Sequence, residues 1–356
     1  MIRRKYLLYP VVLFIILFLV DKIFLLEDLK PYIKSDFTYI YYQAKEDLFE
    51  RLRKKYAVSN SNKRNKKLMI ILGSSRLLYF DAQELRDYYP HWDIYNFSSA
   101  VTTPAYYYYY LEKIYKAGIQ PDLVLLESDP NQFNQNAPAF KKSNLTYSFD
   151  PSFIRRHAFL FGKEYVSYYL GKLLFASSKN KPYLHTAFKR FGNSNFAFVN
   201  IMRNWTKDYL LKNQGHAPSL LATFVERDFG ILEATSQRTI DWLYRNYKPS
   251  QMQYQFLQYI MQDSRQKKVP LIVVWPQSSI PMQRMLKKEK YVEDWRKRVT
   301  LMAAKYRYAL YDMDDTKEYY CNSFVDGGHI AKECYRPFMR FVMTRYYWDH
   351  KAEQEK

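Results

Sequence analysis

The sequence predicts an α/β fold: a doubly wound parallel sheet of about five strands, carried by an N-terminal transmembrane helix and interrupted by a helical insertion. Three observations lead there. Five short apolar runs recur along the chain, separated by stretches of helical character. Residues 6–20 (YLLYPVVLFIILFLV) hold no charged side chain. Hydrophobic residues make up 48% of the 356, against only 15 Pro and 9 Gly. That composition excludes disordered and collagen-like classes and leaves enough chain for one large domain and an anchor.

The first element is the apolar run. After Asp21-Lys22 it resumes as Ile23-Phe24-Leu25-Leu26. As one helix of about 20 residues, rising 1.5 Å each, it reaches roughly 30 Å, the thickness of a bilayer's hydrocarbon core. Arg3, Arg4 and Lys5 precede it, and charges of mixed sign follow. The positive-inside rule then keeps the N-terminus in the cytoplasm, giving a single pass through the inner membrane with the main domain periplasmic or extracellular. A cleaved signal peptide is the rival, but no small-residue cleavage site precedes Ala44. A buried helix is the blander rival, set against the basic start and the flanking Tyr6 and Tyr9. Residues 1–30 are thus expected as anchor. Residues 31–65 are expected as stalk and linker, with a charged helix at 45–56 and a basic, aperiodic stretch at 59–67.

The α/β domain is expected over 66–350. LMIILG (68–73) reads as a buried parallel strand, with helix character in DAQELRDYY after it. WDIYNFS (92–98) is the second strand. PAYYYYYLEKIYKAG (104–118) is a helix with Pro at its start and Gly at its end, and DLVLLES (122–128) is the third strand. Five consecutive residues spread around a helix's whole circumference, so the Tyr106–Tyr110 run is expected to divide between helix surface and core. Residues 135–250 lack strand alternation and read as a helical insertion or cap. Helix follows at 251–268, strand at 269–275 up to Pro276, helix at 284–306, strand at 308–314 and a final helix at 331–348. No Walker or dinucleotide glycine pattern and no C-x-x-C occurs, so neither cofactor nor metal is expected.

Ligands of such a sheet bind beyond the carboxyl ends of its strands. The segments there are Gly73-Ser74-Ser75-Arg76, Asn96-Phe97-Ser98-Ser99, Glu127-Ser128-Asp129-Pro130-Asn131 and, after the last strand, Asp326-Gly327-Gly328-His329. A serine nucleophile needs a base, and that imidazole needs a carboxylate to hold its tautomer; Ser75, His329 and Asp326 can supply the three. His91, His157, His185, His216 and His350 read as loop or core histidines. Arg76 could bind an anionic group of a substrate or be a solvated arginine at a helix start.

Serine after the first strand and D-x-x-H just before the last helix resemble the SGNH (GDSL-like) hydrolase superfamily, of flavodoxin-like fold. The anchor, Gly-Ser-Ser-Arg and Trp275-Pro276 further resemble membrane-anchored SGNH-like proteins of spirochaetes. More distantly they are similar to the alginate O-acetylation proteins and the D-alanyl transfer protein of teichoic acid synthesis. The resemblance implies that Ser75 is the nucleophile, with Asp326 and His329 completing the triad. It implies an oxyanion hole from the N–H of Ser75, the N–H of Ser98 where the family has Gly, and the side chain of Asn131.

Two function classes follow. One is a serine O-acyltransferase or carboxylic-ester hydrolase acting on acyl esters of a cell-envelope polysaccharide or lipid-linked glycan, with a membrane-bound acyl-donor protein as a further partner. The other is a non-catalytic envelope protein on a decayed scaffold. The net charge of +20 would suit nucleic acid, but no recognised module is present and the domain is expected outside the cytoplasm. Anionic headgroups or glycans are its expected partners. Cys321 and Cys334 flank the D-x-x-H segment: outside the cytosol they can bridge, and inside it they would be free and buried.

Overall fold

The computed structural model describes residues 6, 8–33, 39–56, 65–177, 183–190, 194–218 and 222–354. Strands β1 (Lys67–Leu72), β2 (Trp92–Asn96), β3 (Leu123–Glu127), β4 (Leu271–Trp275) and β5 (Leu310–Asp312) form one all-parallel sheet in the order β2-β1-β3-β4-β5. This is the 2-1-3-4-5 order of flavodoxin-like sheets, in which the winding reverses between β1 and β3 and opens a crevice at their carboxyl ends. The apolar runs are continuous because both faces are covered. Leu68, Ile70, Leu72, Val124, Leu126 and Val273 join one core; Met69, Ile71, Leu123, Leu125, Ile272 and Val274 alternate with them into the other.

The helices take the remaining sequence nearly as expected. The N-terminal helix α1 (Leu8–Lys22) continues through a 3₁₀ turn, and Leu8–Leu25, with a mean hydropathy of 2.4, is long and apolar enough to cross a membrane as anchor or signal sequence. Arg3, Arg4 and Lys5 lie outside the described residues, as does most of the basic linker. Helix α2 (Tyr39–Tyr56) corrects the stalk. Its Tyr42, Leu48, Phe49 and Leu52 belong to the main core, and the fully buried Lys45 donates to the carbonyls of Asn96 (2.7 Å) and Gly215 (2.6 Å). Helix α3 (Ala82–Tyr88) starts on Asp81, whose carboxylate accepts the N–H groups of Gln83 and Glu84.

The tyrosine run lies on α4 (Pro104–Lys116), and all five rings are buried rather than divided between core and solvent. The sheet covers one side of that helix; Tyr42 of α2 and Phe149 and Phe153 of the insertion cover the outer side. Each hydroxyl then needs a partner. Tyr106 donates to Phe97 O (3.0 Å), Tyr108 to Asp263 (3.1 Å), and Tyr109 and Tyr110 to Glu46 (3.0 and 2.9 Å).

The insertion leaves and re-enters the domain at one point: Asn134 and Pro249 form an antiparallel bridge, and Gln135 N–H donates to Lys248 O at 2.7 Å. It holds α5 (Ala158–Leu174, broken at Gly162 with φ 67°), α6 (Leu184–Arg190), α7 (Ser194–Lys212) and α8 (Phe229–Leu243). Then follow α9 (Gln251–Gln266), α10 (Ile280–Leu286), α11 (Lys290–Lys305) and α12 (Lys332–Gln354). The single helix expected over 284–306 is two: Glu289 is extended (φ −92°, ψ 118°), and Ser279-Ile280-Pro281 opens α10 earlier.

Candidate active site

Ser75 sits in the crevice where the winding reverses. β1 ends at Leu72, and Gly73 turns the chain against Glu127 and Leu77: a Cβ on Gly73 would lie 2.8 Å from Glu127 Oε2 and 2.9 Å from Leu77 Cβ. Ser74 then caps a short 3₁₀ turn (Ser75–Leu77) and is gripped by Glu127, which accepts its N–H (2.6 Å) and its hydroxyl (2.7 Å). This grip holds Ser75 partly exposed at the turn's first position. Its N–H has no partner among the described residues, as the first N–H of a turn should not.

The chain returns to this place 254 residues later: Ser75 Oγ lies 2.8 Å from His329 Nε2. On the ring's other side, His329 Nδ1 is 2.9 and 3.0 Å from the two oxygens of Asp326. A carboxylate there holds the proton on Nδ1 and leaves Nε2 to accept from the serine hydroxyl. Asp326 also accepts the N–H groups of Gly328 (2.8 Å) and His329 (2.9 Å). Burial opposes its charge, but the bonds from His329 and these N–H groups prevail and bring the carboxyl down to about 2. It is therefore ionised at neutral pH, as the orienting partner of an imidazole must be.

Three contacts fix the loop that carries Asp326 and His329. Phe324 and Ile330 bridge across its base. Gly327 N–H donates to Thr235 Oγ1 and Gly327 O accepts from Ser279 N–H, both at 3.0 Å. Gly327 passes so close to α8 that a Cβ would lie 2.6 Å from Ser236 Cα. The insertion therefore positions the loop of Asp326 and His329, a role not expected of it from sequence. Cys321 and Cys334 are bridged, with Cα atoms 5.6 Å apart, closing a loop around the segment.

Three expected roles are corrected. Arg76 does not reach solvent: it is buried, paired with Asp129, and donates to the carbonyls of Pro276 and Gln277 and to Ser278 Oγ. The Ser98 N–H is engaged by Asn96 Oδ1 at 2.9 Å, so it does not face an oxyanion. Asn131 donates its side-chain amide to Asp129 and, at 3.4 Å, to Tyr244, and its N–H to Asp129 at 2.9 Å. The common cause is Asp129, fully buried at the end of β3. It gathers Arg76, Asn131, Tyr244 (2.7 Å) and Trp275 Nε1 (3.0 Å), because a buried carboxylate must be paired and hydrogen-bonded.

The group also takes in Glu127, and Asp314, which sequence reasoning missed. Burial, against the pull of Arg76 and Ser74, lifts the Glu127 carboxyl to about 7. Burial likewise lifts Asp314, which accepts from Ser278 N–H and Gln283 Nε2 at 2.9 Å, to about 7. The only signal for Asp314 was its place after a strand. Among the described residues no cluster of three or more His, Cys, Asp or Glu side chains could hold a metal ion.

No curated protein matches the chain. A family model described as "Protein of unknown function (DUF1574)" matches residues 1–346, nearly the whole sequence, and the chain therefore belongs to that family.

Proposed function

We propose that the chain is a membrane-anchored, extracytoplasmic SGNH-type serine acyltransferase or carboxylic-ester hydrolase that acts on acyl esters of cell-envelope glycans. One observation carries this reading: the continuous relay from Ser75 Oγ through His329 to Asp326, assembled at the carboxyl ends of β1 and the last strand. Ser75 Oγ attacks the carbonyl carbon of an acyl ester while His329 Nε2 takes the hydroxyl proton. The tetrahedral intermediate collapses, the C–O bond to the leaving alkoxide breaks, and His329 returns the proton to that alkoxide. The acyl group is then held as a Ser75 ester. His329 next deprotonates either water or a sugar hydroxyl, which attacks the ester and restores the serine. Asp326 stays ionised throughout and stabilises the imidazolium. The unpaired Ser75 N–H is the oxyanion donor this geometry supports.

The apolar helix Leu8–Leu25 supports the anchor and, with it, a membrane-bound acyl donor. An open cleft lined by the partly exposed Tyr247 and Tyr291, stacked at 4.4 Å, supports a sugar acceptor, since tyrosine presents both a flat apolar ring and a polar tip. The test is labelling by a serine-reactive fluorophosphonate with the modified residue mapped. Modification at Ser75 that disappears in His329→Ala supports the enzyme; an unmodified protein of intact fold refutes it.

The engagement of Ser98 and Asn131 favours a second reading, a non-catalytic envelope protein on a decayed SGNH scaffold. A Ser75→Ala strain with an unchanged envelope phenotype would decide for it.

A further inference from the structure

The insertion exposes apolar side chains where the chain leaves its N-terminal helix. Leu170, Leu174 and Phe175 at the end of α5, Tyr183 just before α6, and Leu184 and Phe188 on α6 are 47% to 77% exposed. Single exposed leucines are ordinary, whereas a cluster of large apolar side chains marks an interaction surface. Both segments are fastened to the same stretch of chain. Lys22 Nζ donates to the carbonyls of Leu173 (2.7 Å) and Leu174 (2.9 Å), and Asp21 accepts the N–H groups of Ala176 (2.6 Å) and Ser177 (2.8 Å). A little further on, Ile33 O accepts the Tyr183 N–H at 2.9 Å. Asp21 and Lys22 are the first charges after the run 6–20, the point at which a spanning helix meets the headgroups.

Charge agrees with this placement. Residues 165–207 contain no Asp or Glu but seven Lys or Arg, of which Lys172 is buried on the carbonyls of Leu145 and Thr146 and Lys207 pairs with Asp47. Apolar side chains beside basic ones are what a surface lying in the headgroup layer of an anionic bilayer needs.

The path of α2 sets the orientation. Near its start, Tyr42 OH faces the Ala100 and Val101 carbonyls beyond the carboxyl end of β2; near its end, Lys55 Nζ reaches Asp93, in the amino-terminal half of β2, at 2.5 Å. The chain therefore arrives from α1 at the sheet edge that carries Ser75.

We infer that this face of the insertion lies in the headgroup layer of the bilayer crossed by the N-terminal helix and turns the Ser75 edge of the sheet towards that membrane. The occupant is lipid rather than a second protein, because the surface is joined directly to the end of the span and its charge is of one sign. The inference rests on the anchor reading but is independent of catalysis.

Depth-dependent fluorescence quenching tests it. The full chain is reconstituted in phosphatidylcholine–phosphatidylglycerol vesicles with one fluorophore on an introduced cysteine; the native cysteines are bridged and do not compete. Leu13→Cys reports the span, Leu174→Cys and Phe188→Cys the proposed face, and Leu301→Cys, 63% exposed on α11, an unrelated surface. Lipids brominated high on the acyl chain should reduce emission at positions 174 and 188, and deeply brominated lipids at position 13. Position 301 should respond only to aqueous iodide. Quenching at 13 with 174 and 188 open to iodide alone overturns the inference while the anchor stands. Positions 174 and 188 shielded from both quenchers overturn it in favour of a protein partner. Loss of lipid quenching at 13 as well removes the anchor and the inference together.

Discussion

The two sides of the Ser75 crevice treat their polar groups differently. On the side of the last strand, Asp326 and His329 are about a third exposed, and their polar atoms form a line that ends at the serine. On the side of β2 and β3, Asn96, Ser98, Glu127 and Asp129 are almost fully buried, and their hydrogen bonds run into the scaffold. The difference teaches that one side leaves its polar groups open to the crevice, as the proposed proton transfer needs, and the other spends them on the scaffold. Asp129 with Arg76 and Glu127 with Ser74 form a buried floor beneath Ser75. In the proposed reaction a nucleophile so held gains by preorganisation, because its position does not have to be found during the reaction.

Ser75→Ala should give the largest effect, a loss of about 10⁴-fold or more in ester turnover with the fold unchanged by circular dichroism. His329→Ala should match it, and Asp326→Asn should lose no more than either. Wild-type rates in all three would dissolve the proton-transfer side of the comparison. Arg76→Met attacks the floor instead. It leaves Asp129 buried without its cation and should cost about 3–5 kcal/mol in denaturant unfolding. A cost below about 1 kcal/mol, as for exposed ion pairs, would show that the floor is not structural.

Reducing the Cys321–Cys334 bridge should lower stability by about 3 kcal/mol, as for a loop of about 14 residues. It should also lower kcat more than it raises KM, because the loop holds the base rather than the substrate. Asn131→Ala sharpens the contrast from the other direction. A working oxyanion donor is worth about 10²–10³-fold, so a fall below about tenfold agrees with an amide engaged by Asp129.

A further expected effect is one of pH. Asp314 and Glu127 hold protons more tightly when folded, so the native state binds more protons than the unfolded one between about pH 4 and pH 7. Stability should therefore fall as pH rises through that window. Asp314→Asn keeps the oxygen that accepts from Ser278 and Gln283 and should flatten the slope in melting temperature; an unaltered slope would remove Asp314 from the group. Asp326 has the opposite sign, and its contribution is lost as pH falls from about 4 towards 2.

The meeting of Ser75, His329 and Asp326 was legible because they sit where a parallel sheet puts ligands, after strand ends, and because Asp326 and His329 lie close in sequence. The floor was not. Arg76 and Asp129 are 53 residues apart, and nothing local to either marks it as buried. For the same reason the charged helix 45–56 read as a stalk: Lys45 and Glu46 look solvated until Asn96, Gly215 and the tyrosines of α4 are seen around them.

By itself the sequence determined the five strands, the helices between them, the apolar N-terminal segment and the pairing of Ser75 with Asp326 and His329. The strands, helices and apolar segment are written in local runs and the Asp326–His329 pair in a spacing of three residues, whereas the place of Ser75 beside them is read from its position after the first strand and from the SGNH resemblance. Only the tertiary structure decided which polar groups face the crevice and which face the scaffold. Periodicity reports the direction of a side chain from its own backbone; whether a charge, a tyrosine or an amide meets water there depends on segments brought in from far along the chain. Ser98, Asn131 and Arg76 were placed at the crevice by the first kind of information and drawn into the scaffold by the second, because a buried Asp129 had to be neutralised.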